Sequence, residues 1–177
     1  MGSTSGYVAE PVRMAAGFQF RSGSLGDTQN LGRALGGVLR RGDLVALQGD
    51  LGAGKTALTQ GVAAGLGIRE PVTSPTFILV AEYSLPGGGL LRHMDCYRMH
   101  PNLAGAEAED LGWWEWLADA DSVLVVEWSE RLGSLLPADR LDIRLETVSG
   151  RERMIRMEAG GERAAAVLQQ LVAGRTG

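Results

Sequence analysis

The sequence predicts an α/β fold with a mixed parallel and antiparallel sheet and flanking helices, and three observations carry that expectation. A short apolar run, residues 43–48 (DLVALQ), leads into a glycine-rich loop and then a helical stretch. A later continuous apolar run, 123–126 (VLVV), has the pattern of a strand buried on both faces, and it ends in the acid Glu127. Between them, two strand-like runs are joined by Pro86-Gly87-Gly88-Gly89, a turn signal that predicts an antiparallel hairpin.

The elements follow in order. Residues 1–16 are small and polar with no period, and are expected to form a mobile tail ahead of a single domain spanning 17–177. Residues 17–21 (GFQFR) alternate as a short strand. Residues 27–40 carry Leu31, Leu35, Val38 and Leu39 at helical spacing, with Ser24 or Asp27 able to cap the helix and Gly42 to end it. After the strand at 43–48, a helix is expected over 55–66, closed by Gly67. A polar link with two prolines leads to the hairpin strands 77–84 and 90–95. Residues 101–119 look helical with a break at Gly112. Residues 140–146 and 153–158 alternate and are expected to pair across Ser149-Gly150, and 162–173 reads as a closing helix.

The bulk properties set bounds. At 177 residues the chain can bury a real core, and 45% apolar residues exclude wholesale disorder. A net charge of −4 gives no general attraction for nucleic acid. The one cysteine, Cys96, excludes an internal disulfide framework and fits a reducing compartment. No run of about 18 apolar residues and no secretory signal pattern occurs, so a cytoplasmic protein without a membrane span is expected.

The chemistry sits at residues 49–56, Gly-Asp-Leu-Gly-Ala-Gly-Lys-Thr, which satisfy G-x-x-x-x-G-K-[ST] in full. A strand before and a helix after are the context this motif requires, and they place the chain among the single-domain P-loop NTPases. The loop, Gly49, Asp50, Leu51, Gly52, Ala53 and Gly54, is expected to wrap the phosphates of ATP with its backbone N–H groups, aided by the positive helix end at Lys55, Thr56 and Ala57. Lys55 is expected to reach the β- and γ-phosphates, and the Thr56 hydroxyl to take a Mg2+ position. Among 17 basic residues, 16 are arginine, and the one lysine stands where a compact point charge must fit a tight loop.

A Mg2+ site also needs a carboxylate at the end of a neighbouring strand, and Asp95 and Glu127 both qualify. Lys55, Asp95 and Glu127 are the candidate catalytic residues, with Thr56 and Glu127 the candidate metal ligands. His93, Asp95 and Tyr97 share one strand face, while Met94 and Cys96 share the other. His93 reads equally as a packing residue, and Cys96, Trp113, Trp114 and Trp116 read more readily as packing than as chemistry. Residues 73–77 (TSPTF) occupy the place where many P-loop proteins put a first switch, and read equally as a proline-fixed loop.

Taken together, GDLGAGKT, VTSPTF, HMDCYR and VVEWSERL, in this order and at these spacings, resemble the TsaE family over roughly residues 27–160. Asp110-Leu111-Gly112 with Leu117 also resembles the family's stretch before its acid-bearing strand. The resemblance implies a Mg2+-dependent ATPase of tRNA threonylcarbamoyladenosine synthesis acting with the TsaB and TsaD proteins, with tRNA met only through that complex. It implies metal-linked roles for Thr56 and Glu127, an activity-related role for Asp95, and a Trp after the acid at Trp128. It also implies that Thr28 lies near the adenine and Arg153 near the nucleotide. Ala57 departs from the family, many members of which carry a second threonine there, so about one hydrogen bond to the α-phosphate is lost. The runner-up reading is a P-loop small-molecule kinase, which would need a second substrate pocket and an arginine-rich lid. A GTPase would need a guanine-reading Asn-Lys-x-Asp segment, and no lysine stands outside the loop.

Overall fold

In the computed structural model, residues 10–75, 79–100 and 104–175 are described. The strands are β1 (Val12–Met14), β2 (Gly17–Ser22), β3 (Leu44–Gln48), β4 (Val80–Ser84), β5 (Leu90–Asp95), β6 (Ser122–Glu127), β7 (Leu141–Thr147) and β8 (Arg153–Ala159). The helices are α1 (Leu25–Val38), α2 (Lys55–Gly65), α3 (Ala104–Asp110), α4 (Trp113–Ala118) and α5 (Glu162–Ala173), with two 3-10 turns at Ser129–Arg131 and Gly133–Leu135. One sheet takes all eight strands in the order β1-β2-β8-β7-β3-β6-β5-β4.

The pairing is mixed, as the sequence predicts. β5, β6, β3 and β7 run parallel to one another. β1, β2 and β8 continue antiparallel from one side, and β4 closes the other side as the antiparallel half of the Gly-rich hairpin. Parallel strands need cover on both faces. Val45, Leu47, Val123, Val125 and Ile143 face α1, α2 and α5, while Leu44, Ala46, Leu124 and Val126 face α3, α4 and the 3-10 turns. The second face of β7 and β8 is uncovered, and there the alternating strand positions carry Asp142, Arg144, Glu146, Arg156 and Glu158 in place of apolar residues.

Most expected elements are present with boundaries shifted by one to three residues. Ser24 caps α1, its hydroxyl accepting from the Asp27 N–H, and the Asp27 carboxylate accepts in turn from the Gly23 N–H. The helical stretch ending near 119 breaks at Gly112, whose φ of 83° ends one helix and starts the next. Two expectations are corrected or bounded. The tail expected over 1–16 is not structureless at its end, because Val12–Met14 pairs with β2 as an edge strand. Both its faces are exposed, so no apolar alternation was needed to form it. Residues 77 and 78 of the strand expected over 77–84 lie outside the described residues, as do Thr76 and Phe77 of the 73–77 segment and residues 1–9 of the expected tail. Among the described residues no helix is long and apolar enough to cross a membrane.

Helices α1 and α2 meet backbone to backbone. A Cβ added at Gly32 would lie 2.3 Å from the Leu58 carbonyl oxygen, at Gly36 2.2 Å from that of Val62, at Gly61 2.1 Å from that of Gln29, and at Gly65 2.2 Å from that of Arg33. Two Gly-x-x-x-Gly rows therefore face one another, with only Cα hydrogens between the helices. The Gln29 amide donates to the Gln60 side-chain oxygen alongside.

A substitution pair measures this seam. Gly61→Ala is expected to destabilise by about 1–2 kcal/mol in denaturant unfolding, because overpacking against a carbonyl outweighs the gain in helix propensity. Gly37→Ala, on the same pair of helices with nothing within 4 Å of the added methyl, is expected to be neutral or to stabilise by up to about 1 kcal/mol. Equal effects at the two positions would refute the close approach.

Candidate functional site

The parallel strands β3, β5 and β6 all end at one edge of the sheet, and the residues at those ends build the site. β3 runs into the loop 49–54, which turns back into α2. Gly49 has φ 142°, and a side chain there would strike the Leu145 carbonyl oxygen at 2.4 Å. Gly52 and Gly54 also lie at positive φ, 80° and 107°, where side chains are strained. Crowding by protein thus requires glycine at Gly49, whereas backbone conformation requires it at Gly52 and Gly54. Gly54 offers no side-chain cap to α2, so the first-turn N–H groups of that helix face the cleft uncapped.

Lys55 lies almost wholly buried at the mouth of the loop. Its ammonium donates to the carbonyl oxygens of Gly49 at 2.5 Å and Asp50 at 3.0 Å, and stands 3.7 Å above the centre of the Trp128 ring. Burial lowers the Lys55 pKa from its usual value, against the opposing charges of Glu127, Glu130, Asp95 and Asp50. Trp128 reaches this position from a left-handed backbone, φ 55°, rare for a bulky side chain and costly by about 1 kcal/mol or more. Tyr97 packs against it with ring centres 4.9 Å apart.

Glu127 ends a strand in which every residue is buried, and is itself 2% exposed. Its two oxygens have different partners. Oε2 accepts from the Thr56 hydroxyl at 3.1 Å, and Oε1 lies 2.8 Å from His93 Nε2 and 3.3 Å from the Thr59 hydroxyl. Asp95 is in register with Glu127 across β5 and β6 and is also 2% exposed. Its Oδ2 accepts from Ser74 Oγ at 2.5 Å and its Oδ1 from the Tyr97 N–H at 2.9 Å. Cys96, pointing to the other sheet face, is fully buried and its thiol is pushed up to about 12 by that burial, so it is a packing residue. Trp113 is buried with its indole N–H on the Leu135 carbonyl, while Trp114 is half exposed.

A cleft of about 500 Å³ joins these groups, lined among others by Gly52, Gly54, Lys55, Thr56, Ala57, Asp95, Glu127 and Trp128. Leu51 reaches out on its rim, 79% exposed. Of the other expected contacts, Asp50 lies exposed at the loop turn. Ala53 is turned away: its methyl is in the core and its N–H donates to the Asp50 carbonyl. Thr28 needs correction as a residue beside the adenine. It has no exposed surface, and its hydroxyl bonds Ser22 Oγ and the Ser24 carbonyl. It therefore supports the start of α1 from beneath. Arg153 does reach the loop, its guanidinium 3.4 Å from the Gly52 carbonyl oxygen, and lines an adjoining hollow of about 390 Å³ with Ser24, Leu25 and Arg151.

Leu25 and Gln60 line the cleft although the sequence reading passed over them. Leu25 left a signal: an apolar residue, 54% exposed, off the buried stripe of α1. A larger concavity of about 580 Å³ over β7 and β8 has no such chemistry, since charges along it pair with each other as Arg140–Asp142, Arg144–Glu146 and Arg156–Glu146. Among the described residues no group of three or more His, Cys, Asp or Glu could hold a metal. The residues that could hold a Mg2+ ion are Thr56, by its hydroxyl, and Glu127, by its carboxylate, both oxygen donors suited to this hard ion.

The chain is similar to known proteins over most of its length. The family model described as threonylcarbamoyl adenosine biosynthesis protein TsaE matches residues 22–155. The tRNA threonylcarbamoyladenosine biosynthesis protein TsaE of Streptomyces coelicolor is 46% identical over 123 residues, 69% of this chain and 80% of that protein. The protein of the same name from Bacillus subtilis is 39% identical over 145 residues, 82% and 87% of the two chains. The crystal structure of Bacillus subtilis YdiB superposes with a TM-score of 0.75 at 31% identity, covering 92% of this chain and 99% of that one. A family match that runs from the start of α1 through the loop, Asp95 and Glu127 to β8 makes this chain a member of the TsaE family.

Proposed function

We propose that this chain binds ATP with Mg2+ in the cleft between the loop 49–54 and Glu127, hydrolyses it, and thereby serves the threonylcarbamoyl modification of adenosine in tRNA. The observation that carries the reading is the 3.1 Å bond from the Thr56 hydroxyl to Glu127 Oε2, which joins the end of the phosphate loop to a buried strand-end carboxylate. The family's name supplies the pathway.

Phosphoryl transfer asks the protein mainly for position and electrostatics. The uncapped start of α2 and the loop N–H groups receive the phosphate oxygens, and Lys55 brings a positive charge to the same place. Thr56 and Glu127 would hold Mg2+, whose charge would offset that of the phosphates. Asp95, with one oxygen on Ser74 and the other on the Tyr97 backbone, ties the cleft wall to the 73–75 segment and couples that segment to the nucleotide. Trp128 and the loop carbonyls keep the Lys55 ammonium in place before nucleotide arrives.

The partners belong to this proposal too. The chain acts with TsaB and TsaD, meets tRNA through them, and works in the cytoplasm. An ATPase of this size, with a net charge of −4, has no general grip on tRNA, and a partner ordering the 73–75 segment or adding charge at the γ-phosphate would raise its rate.

Three outcomes follow. Lys55→Ala should lower ATP turnover by roughly 10²–10³-fold while circular dichroism shows an intact fold; undiminished hydrolysis by a folded variant would sink the reading. Asp95→Asn should lower turnover with little loss of ATP affinity, whereas Glu127→Gln should weaken hydrolysis and Mg2+-dependent nucleotide binding together. Nucleotide titrations with and without Mg2+ separate the two, and matching profiles would remove the distinction between them. The isolated chain should turn over slowly and be accelerated several-fold by saturating TsaB and TsaD; a fast enzyme indifferent to both would point to a stand-alone hydrolase or kinase.

A further inference from the structure

His93 is the one fully buried histidine among the described residues, and the reading above gives it no part. It stands two residues before Asp95 on β5, in register with Val125, so its side chain shares the α2-facing side of the sheet with Glu127 on the next strand. Its Nε2 lies 2.8 Å from Glu127 Oε1, and its Nδ1 is buried without a hydrogen-bond partner among the described residues. A proton on Nδ1 would be a buried donor with nothing to receive it, which costs about 1–3 kcal/mol. The ring proton is therefore on Nε2, donated to the carboxylate.

Glu127 Oε1 has a second neighbour, but a divided one. The Thr59 hydroxyl carries a single proton and is nearer the Lys55 carbonyl, 3.0 Å, than Glu127, 3.3 Å. It is bonded back onto its own helix, leaving His93 as the donor committed to Oε1. The terminal torsion of a glutamate is broad and roughly two-fold, so a carboxylate does not hold one orientation unaided. With Oε1 engaged by His93, Oε2 is the oxygen turned to Thr56.

We propose that His93 is a positioning residue that holds Glu127 by Oε1 and so presents Oε2, beside the Thr56 hydroxyl, to a magnesium–nucleotide complex. This rests on the Mg2+–ATP reading of the cleft. Partners that orient a ligating carboxylate typically alter metal affinity about 10–100-fold when removed. The effect of losing His93 belongs in the magnesium dependence of nucleotide binding, not in nucleotide binding as such.

The experiment uses the full chain and a fluorescent methylanthraniloyl-ATP, titrated in excess EDTA and across a Mg2+ series. His93→Leu, apolar and of similar size, is expected to raise the Mg2+ concentration needed for half-maximal gain in affinity by about tenfold, with Mg2+-free binding unchanged. His93→Gln, whose amide N–H can take the place of Nε2–H, is expected to recover most of that loss. A His93→Leu titration matching wild type, or one weakened equally with and without Mg2+, would overturn the proposal. If wild type itself gains nothing from Mg2+, the reading of the cleft falls, and this inference with it. If wild type gains and His93→Leu gains alike, only the inference falls. Should His93→Leu not fold, the wild type still decides. The chain has two histidines, so ring resonances assign with the single variant His100→Gln. NMR is expected to show the His93 proton on Nε2, and a proton on Nδ1 would overturn the proposal.

Discussion

A negative charge at the end of a wholly buried strand has to be compensated where it lies, and the site is arranged around that requirement at Glu127. Water reaches only 2% of the residue. The compensation comes from different elements: His93 from β5, Thr56 from α2, and the charge of Lys55 at the loop mouth. Each is brought there by its own constraint. His93 follows from strand register, Thr56 from the loop's entry into α2, and Lys55 from the carbonyls and indole that surround it. Removing the carboxylate would leave these donors facing one another, so the acid organises the site as much as it is held by it.

The sheet divides its labour accordingly. The parallel strands, buried on both sides, end in the residues that carry chemistry, and the antiparallel strands β2 and β8 extend the sheet until Arg153 reaches over the loop. The uncovered face of β7 and β8 is not a second site of the same kind. Its arginines and carboxylates pair with one another along the strands, giving a predominantly polar surface toward water.

Much of this was legible in the residues. The phosphate loop could be read because its chemistry forces a near-fixed spelling, and β6 because a four-residue apolar run ending in an acid has few other uses. The hairpin β4–β5 followed from three consecutive glycines after a proline. What escaped depended on distance in space. Thr28 entered through the family resemblance alone, and the bond that takes up its hydroxyl comes from Ser22 on the preceding strand. Val12–Met14 carries no pattern, because an edge strand exposed on both sides needs none. His93 could not be told from a packing residue, since the carboxylate that uses it lies 34 residues further along. The glycines within α1 and α2 give no sign in sequence of what lies opposite them, and only the facing rows show why nothing larger fits.

Those facing rows have a mechanical meaning. Helices separated by side chains can slide as rotamers exchange, but backbones in direct contact have no such give. The start of α2, which lines the cleft, and the start of α1, whose Leu25 edges it, therefore move as one rigid body. Any movement that the proposed nucleotide cycle requires has to be hinged outside this seam. Among the described residues, the 73–75 segment held to the sheet by Asp95 and the turn from Trp128 into the 3-10 segments, held in a backbone conformation it does not prefer, take no part in the backbone contact between the two helices. On the proposed function, a cycle of binding and release would move the cleft's outer wall against a fixed floor.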